Sequence, residues 1–407
     1  MLKFLNNIEL QHDDIPSLFS LREKGRKVFT SLPDKKCEAY KYTPIASALT
    51  SDMFKNKPHQ CQEHCHCHEK ILPFNAGEFH FCNGILHEHF HQTKGIEIQT
   101  ILDAISTHNT TKFINHFNIE KFPFAALNTA CLEQGVFLRI SKEIEQPIAF
   151  CYHGKEDGLR NIRNIIVVEK GASAEIVEVF EGENEISFTN IVNEIFVLSN
   201  ARLIHYKIQK QSDHAVHIAL NNIEVNTGGQ YESYTLQTGC KLARNETHIA
   251  LKGENASAIV NAAYNAKKTT LIDTTTDIEH LNPQTKSSQL IKGVLEDEAH
   301  GVFQGKIHIA PMAIQTQGYQ LHKALLLSDQ SGVDVKPELE IFADDVKCSH
   351  GATSGDLNPE EIFYLQSRGI CENDARHILT TAFLGEAFAD IKNESVKALF
   401  SFSAPNQ

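Results

Sequence analysis

The stretch that decides the fold is residues 162–180, IRNIIVVEKGASAEIVEVF. Two β-branched runs of strand length, Ile162–Val168 and Glu175–Phe180, flank a turn of small residues at Gly171-Ala172-Ser173. Comparable turns follow at Asn200-Ala201-Arg202, Gly228-Gly229-Gln230, Asn255-Ala256-Ser257 and Glu298-Ala299-His300. From about Gly135 the chain therefore alternates strands with small-residue turns.

The spacing of these turns distinguishes between two all-β architectures. With Ala172, Ala201, Gly229 and Ala256 as markers, successive turns lie roughly 27 to 29 residues apart, and the gap to the last turn is wider. Near-constant spacing predicts stacked coils that bury their faces against one another, as in a parallel β-helix. A β-sandwich is the alternative, and it favours Asn-Gly or Asp-Gly turns about 8 to 12 residues apart.

The composition restricts the class of protein. The chain has 407 residues with 38 Lys plus Arg against 51 Asp plus Glu, a formal net charge of −13. This balance argues against nucleic acid or an anionic membrane as the main partner. The chain has no apolar run long enough for a membrane span and no secretory signal, so we expect a cytoplasmic protein whose ten cysteines are reduced.

Changes in composition and hydrophobic pattern along the sequence predict three regions. Residues 1–134 form a mainly helical region with a His/Cys-rich loop at 59–91, residues 135–350 form the β core, and residues 351–407 form a C-terminal helical domain. Helical patterns occur at Ser17–Gly25 and Gly95–Ile105. In the C-terminal domain, Asn358 is a capping residue before Pro359. A stripe of apolar residues follows, which we expect to pack mainly on the β core: Ala375, Ile378, Leu379, Ala382 and Phe383.

A thiol and an imidazole end the last predicted strand, within KPELEIFADDVKCSHGAT at residues 336–353. Leu339 and Ile341 alternate with Glu338 and Glu340, which is typical of a strand with one apolar face. Alternate residues of a strand share a face, so the side chains of Cys348 and His350 are expected to point the same way. The pair suits iron or zinc, but two ligands do not complete a coordination sphere.

This stretch, together with Ile362–Ile370 and with Pro33–Thr43, resembles the SufB/SufD family of iron–sulfur cluster assembly scaffolds. The SufD branch fits better, because SufB has a more acidic segment where this chain has Cys-Ser-His-Gly. Tyr40 departs from the family, which usually has Trp there. The resemblance implies a central right-handed parallel β-helix, flanked by an N-terminal helical region and a C-terminal helical domain.

The resemblance also implies a role. A non-catalytic scaffold subunit would pair with a SufB-like subunit through the β-helix and dock a SufC-like ATPase on the C-terminal helices. His350 would be a ligand for a transient iron–sulfur cluster at the contact with SufB, and Cys348 beside it would be either a second ligand or a structural residue. Reduced flavin belongs to such complexes, although no residue here indicates it. A homodimer in place of the heterocomplex stays open.

Three other motifs offer alternative chemistry. His59, Cys61, His64, Cys65 and Cys67 crowd one loop and suit metal binding or buffering, although their spacing fits no closed zinc pattern. His87-Glu88-His89-Phe90-His91 formally satisfies the His-Glu-x-x-His pattern of a zinc hydrolase, but the strand-like Phe79–Gly84 upstream makes a helix unfavourable. Gly301–Ile307 mimics a phosphate loop but lacks the Ser or Thr for Mg²⁺, so we interpret it as structural.

Overall fold

Two mainly parallel sheets dominate the computed structural model, which describes residues 8, 10–12, 14–34, 36–54, 72–87, 94–108, 110 and 112–401. The helices are α1 Pro16–Val28, α2 Ile45–Ala48, α3 Ile101–Ser106, α4 Pro123–Ala130, α5 Pro359–Gln366, α6 Glu372–Gly385 and α7 Glu394–Lys397. Short 3₁₀ helices lie at Glu38–Tyr40, Ser51–Phe54, Ile119–Lys121, Glu386–Phe388 and Ala398–Phe400.

The strands are β1 Gly77–Cys82, β2 Ile85–His87, β3 Ile96–Thr100, β4 Val136–Ile140, β5 Ile148–Gly154, β6 Gly158–Val168, β7 Ser173–Gly182, β8 Ser187–Val197, β9 Arg202–Gln211, β10 Val216–Val225, β11 Gln230–Gly239, β12 Leu242–Leu251, β13 Ser257–Ala266, β14 Leu271–His280, β15 Lys286–Leu295, β16 His300–Ile309, β17 Gln317–Leu326, β18 Gly332–Ile341 and β19 Lys347–Gly355.

Successive strands from β4 onward alternate between the two sheets. One sheet has the order β19-β17-β15-β13-β11-β9-β7-β5-β1-β2, and the other has β18-β16-β14-β12-β10-β8-β6-β4-β3. Each strand from β4 on pairs in parallel with the strand two positions along the chain, as Val216 with Leu242 in β10 and β12. This arrangement is a parallel β-helix with helices at both ends, which confirms the predicted fold class.

The turns on one edge of the solenoid are stacked. From the turn before β7 onward, each contains a residue with positive φ two positions before the next strand, including Gly171 at 73°, Asn200 at 57° and Gly228 at 64°. Glycine and asparagine tolerate this left-handed conformation, which explains why small residues mark the repeat. The turn at 298–300 precedes β16 and so lies on the opposite edge, which accounts for the wider gap in the spacing.

The interior lies between the two sheets. Phe150 and Ile176 of one sheet share a hydrophobic cluster with Ile166 and Ile195 of the other. Asparagines also stack inside: the amide of Asn164 donates to Asn193 at 3.0 Å, and Asn193 donates to Asn221 at 2.9 Å. Such a ladder satisfies buried amides coil by coil. The interior is therefore partly polar.

The helical predictions had mixed outcomes. Ser17–Gly25 lies within α1, and Asn358 caps α5 by accepting from the Glu360 amide, as expected. The helix predicted over Gly95–Ile105 is wrong in its first half, because Ile96–Thr100 is β3, antiparallel to β4. Ile96 and Ile98 pack against the interior cluster, so tertiary packing overrides the local helix pattern.

The sheets extend past the predicted core range of 135–350. Strands β1, β2 and β3 precede it, and β19 ends at Gly355. The three-region division stays a prediction. Within the described residues, no helix is long and apolar enough to cross a membrane.

Candidate functional site

The C-terminal end of the solenoid is an open edge. Strand β18 pairs only with β16, and β19 pairs only with β17, so the outer sides of both strands have no neighbour in the described chain. An uncovered strand edge presents free backbone N–H and C=O groups and is a template for a further strand. The end of the β-helix therefore has the geometry of a strand-pairing interface.

Exposed apolar side chains accompany this edge. Phe342 is 61% exposed and Met312 is 76% exposed, and the same end carries Ile314, Tyr319 and Ile341, each more than 40% exposed. Several large apolar side chains exposed at one end of a protein indicate an interaction surface. We call these five residues the end patch.

Cys348 lies on the inward face of β19. It pairs in register with Gly318 and packs with the small cluster of Ile307, Ile309 and Leu339. Burial raises the pKa of the Cys348 thiol, which keeps it protonated near neutral pH. The thiol is thus half-buried and becomes a metal ligand only after losing its proton.

His350 lies two residues further on the same face, as the Cys-x-His spacing predicted. It is exposed because no further coil covers β19, and it makes no hydrogen bond to any described residue. Its register partner on β17 is Gln320, which is 3% exposed. Both amide atoms of Gln320 are buried without a hydrogen-bond partner among the described residues. Sequence reasoning missed Gln320, and no spacing signal points to it.

The outer face near this end is already ion-paired. Glu340 accepts from Lys306 Nζ at 2.8 Å and lies 3.1 Å from His308 Nδ1. Lys306 and His308 hold the pKa of Glu340 below its usual value. Lys336 Nζ lies 2.9 Å from Glu38 Oε1. Glu340, Lys306, His308 and Lys336 on the outer face therefore have partners, whereas the inward-facing His350 has none among the described residues.

The C-terminal helices present a second exposed apolar surface. Helix α5 has no buried residue, and Phe363 is 71% exposed, Tyr364 55% and Ile378 on α6 43%. Helix α6 is anchored to the β core, because Lys292 Nζ donates to the carbonyl of Phe383 at 2.9 Å and pairs with Glu386. The predicted stripe is split: Ala375 is buried, whereas Ile378 and Ala382 are exposed.

Residues 150–383 match the family model described as SUF system FeS cluster assembly, SufBD core domain. The matched range is more than half of the chain and includes Cys348, His350 and Phe363. The chain belongs to the SufBD family.

Three SufBD relatives illustrate the similarity. The iron–sulfur cluster assembly protein SufD of Escherichia coli is 36% identical over 245 residues, which is 60% of this chain and 58% of that protein. The chloroplastic protein ABCI7 of Arabidopsis thaliana is 29% identical over 392 residues, 90% of this chain and 81% of that protein. An iron–sulfur cluster assembly SufBD family protein of Synechocystis is 32% identical over 288 residues, 67% of this chain and 64% of that protein. The chain thus spans less than two thirds of the E. coli and Synechocystis proteins.

The three alternative motifs of this SufBD chain have different outcomes in the structure. His59, Cys61, His64, Cys65 and Cys67 lie outside the described residues, as do Glu88 and His91. His87 ends strand β2, so the helix that a His-Glu-x-x-His site requires does not begin there. Gly301–Ile307 lies within strand β16 and forms no loop. There, Gly305 leaves the space that the Gln320 side chain fills.

Two pairs of titratable side chains lie buried inside the SufBD solenoid, and the spacing of residues in the sequence did not predict these contacts. His205 Nε2 lies 2.9 Å from Glu178 Oε2, and Lys207 Nζ lies 2.8 Å from His217 Nε2. Burial lowers the pKa of Lys207 to about 8. Burial alone would raise the pKa of Glu178, but His205 holds it below its usual value. All four side chains are buried and pair within the solenoid, so we assign them a structural role.

Proposed function

We propose that the chain is the SufD subunit of a SufB–SufC–SufD scaffold complex that assembles iron–sulfur clusters. Membership of the SufBD family and the similarity to E. coli SufD support this role. In the complex the chain is a non-catalytic partner that offers an interface ligand. A SufC-like ATPase supplies the hydrolysis step that changes the interface.

The observation that carries the proposal is the open end of the β-helix. Its unpaired strand edges β18 and β19 adjoin the end patch, and Cys348 and His350 lie on the inward face of β19. A SufB-like chain that extends the two sheets would cover the end patch and satisfy the edge backbone groups. It would then face His350, so the cluster would lie between two chains.

The ligands suit a cluster that is bound transiently and then released to another protein. His350 is exposed and offers an imidazole, whereas the Cys348 thiol is half-buried with a raised pKa. His350 is therefore the main ligand, and Cys348 becomes one only when the cluster displaces its proton. Permanent iron–sulfur proteins use about four thiolates, so one imidazole with at most one thiolate binds a cluster weakly enough for release.

The second exposed surface suits the ATPase. Phe363 and Tyr364 on α5 and Ile378 on α6 are exposed. Lys292 ties α6 to the β core, and α5 packs on α6. Exposed aromatic side chains are typical anchors of a protein interface. We assign this surface to a SufC-like subunit.

Co-purification tests the proposed complex. The full-length chain, tagged and expressed in its own host, is expected to bring down one SufB-like chain and a SufC-like ATPase. Recovery of the chain only as a homodimer or monomer would overturn the proposal. Deletion of residues 59–68 should leave the complex and cluster assembly intact, whereas loss of metal binding together with loss of function would favour a metal-buffering protein.

A further inference from the structure

A second group of metal-type side chains lies at the opposite end of the solenoid, on the outer face of β1 and β5. Glu78 and His80 alternate with Phe79 and Phe81, which pack in the interior cluster, so the polar pair faces outward. The parallel register of β1 and β5 places Cys151 directly beside His80. One ligand atom from each of Glu78, His80 and Cys151 lies within 4.8 Å of the other two.

The three side chains are held in a largely buried setting. The side chains of Glu78 and His80 are 9% and 13% exposed, and Cys151 is fully buried. His80 Nε2 lies 3.3 Å from Glu78 Oε2, and the other ring nitrogen, Nδ1, lies 3.4 Å from Nε2 of His153. A metal-binding histidine commonly uses one nitrogen for the metal and fixes its ring through the other. His153 is in place to orient His80 in this way.

We propose that Glu78, His80 and Cys151 bind one divalent cation of the zinc class. Carboxylate, imidazole and thiolate are the three ligand types of zinc. A set that includes sulfur and nitrogen disfavours Ca²⁺ and Mg²⁺, which take oxygen ligands. Metal–ligand bonds of about 2.0 to 2.3 Å put tetrahedral ligands roughly 3.3 to 3.8 Å apart, so small side-chain rotations bring these donors into range.

The site is separate from the proposed cluster-binding end. It uses β1 and β5, whereas Cys348 and His350 lie on β19 at the far edge of the same sheet. A cation here would join β1 to β5, strands whose sequences lie about seventy residues apart. We therefore expect the cation to stabilise the first coil, with water in the fourth position of a tetrahedral site.

Cobalt binding to the full-length chain tests the site. Co²⁺ is a spectroscopic substitute for zinc, and a thiolate ligand gives it a charge-transfer band. The background is the full chain with Cys61, Cys65, Cys67 and Cys348 changed to Ser and His59, His64, His66 and His68 changed to Asn. In this background we compare Cys151→Ala, Glu78→Gln and His80→Gln with Cys131→Ala, a buried thiol in a different cluster. Circular dichroism checks the fold of each variant.

We expect one Co²⁺ per chain with a thiolate band in the background protein and in Cys131→Ala. Cys151→Ala should lose the band, and Glu78→Gln and His80→Gln should weaken binding at least tenfold while they remain folded. If Cys151→Ala fails to fold, the other two variants decide. The proposal is overturned if the background protein binds no Co²⁺, or if these variants bind it with unchanged spectrum and affinity.

Discussion

His350 on β19 is the register partner of Gln320 on β17, and both lie on the inward face of the sheet at the open end of the β-helix. The Gln320 amide is buried without a partner among the described residues, next to an imidazole that has none there either. An unpaired buried polar group costs free energy, so a partner group that pairs with it would be stabilising. We interpret Gln320 and His350 as groups that gain their missing partners from a second chain and from the cluster that this chain helps to bind.

Replacement of Gln320 tests this interpretation. Gln320→Met removes a buried amide that lacks partners, so the free energy of unfolding of the isolated chain should stay unchanged or rise by about 1 kcal/mol. Cluster formation on the complex should fall. The matched control is Gln211→Met, because Gln211 donates to Thr189 at 3.1 Å and should lose about 1 kcal/mol. Urea unfolding measures both, and equal destabilisation of the two variants would contradict the interpretation.

The end patch predicts a specific effect on pairing with SufB. Phe342 is 61% exposed beside the edge of β18, so Phe342→Lys should leave the melting temperature unchanged. It should weaken co-purification with a SufB-like chain at least tenfold, because a charge would be buried at the contact. Phe19→Lys, which alters a residue 46% exposed on α1, is the control and should pair normally. Normal pairing by Phe342→Lys would argue against this interface.

The exposed apolar surface of the C-terminal helices predicts a separate effect on binding of the SufC-like ATPase. Phe363 is 71% exposed on α5, and Phe363→Lys should reduce binding of the SufC-like ATPase at least tenfold while pairing with SufB persists. Phe342→Lys should show the opposite pattern. Titration calorimetry with each purified partner measures the two affinities. Loss of both partners in one variant, with the fold intact, would show that the two surfaces are not independent.

Buried histidines predict how stability depends on pH. The His280 ring contacts Thr285 at 2.8 Å and Ser287 at 2.9 Å, and burial lowers the pKa of His280 to about 4. In the unfolded chain a histidine titrates near pH 6.5, so below that pH the unfolded state takes up a proton that the folded state does not. The free energy of unfolding should therefore fall between pH 7 and pH 5, by about 2 kcal/mol from His280.

Unfolding in urea at both pH values isolates this contribution. His280→Gln should lose about 2 kcal/mol less between pH 7 and pH 5 than the parent chain. His214→Gln is the control, because His214 is exposed in a turn, and it should behave like the parent chain. An unaltered pH dependence in His280→Gln would show that His280 takes up its proton in the folded state over the same pH range as in the unfolded chain.

The sequence was a good guide where local conformation repeats. The stacked turns need a left-handed residue, so Asn200 and Gly228 made the coil spacing visible along the chain. The face shared by Cys348 and His350 also followed from strand geometry alone. The sequence was a poor guide at Ile96–Thr100, where pairing with β4 overrides the local helix pattern.

Contacts between residues in different coils could not be predicted from the sequence. Cys151 lies beside His80, and Gln320 lies beside His350, only because parallel coils bring them together. No spacing rule connects residues in different coils unless the register is known. These two pairs between coils therefore required the structure, whereas the fold class and the shared face of Cys348 and His350 did not.

Cluster formation by the reconstituted complex with His350→Ala tests the central claim most directly. His308→Ala is the matched control, because His308 lies at the same end of the solenoid but on the outer face, beside Glu340. We predict that His350→Ala keeps its fold and its SufB pairing but assembles at least tenfold less iron–sulfur cluster, measured by absorption and iron content, while His308→Ala matches the parent. Unchanged assembly and unchanged pairing in His350→Ala would contradict the role of His350 as a cluster ligand.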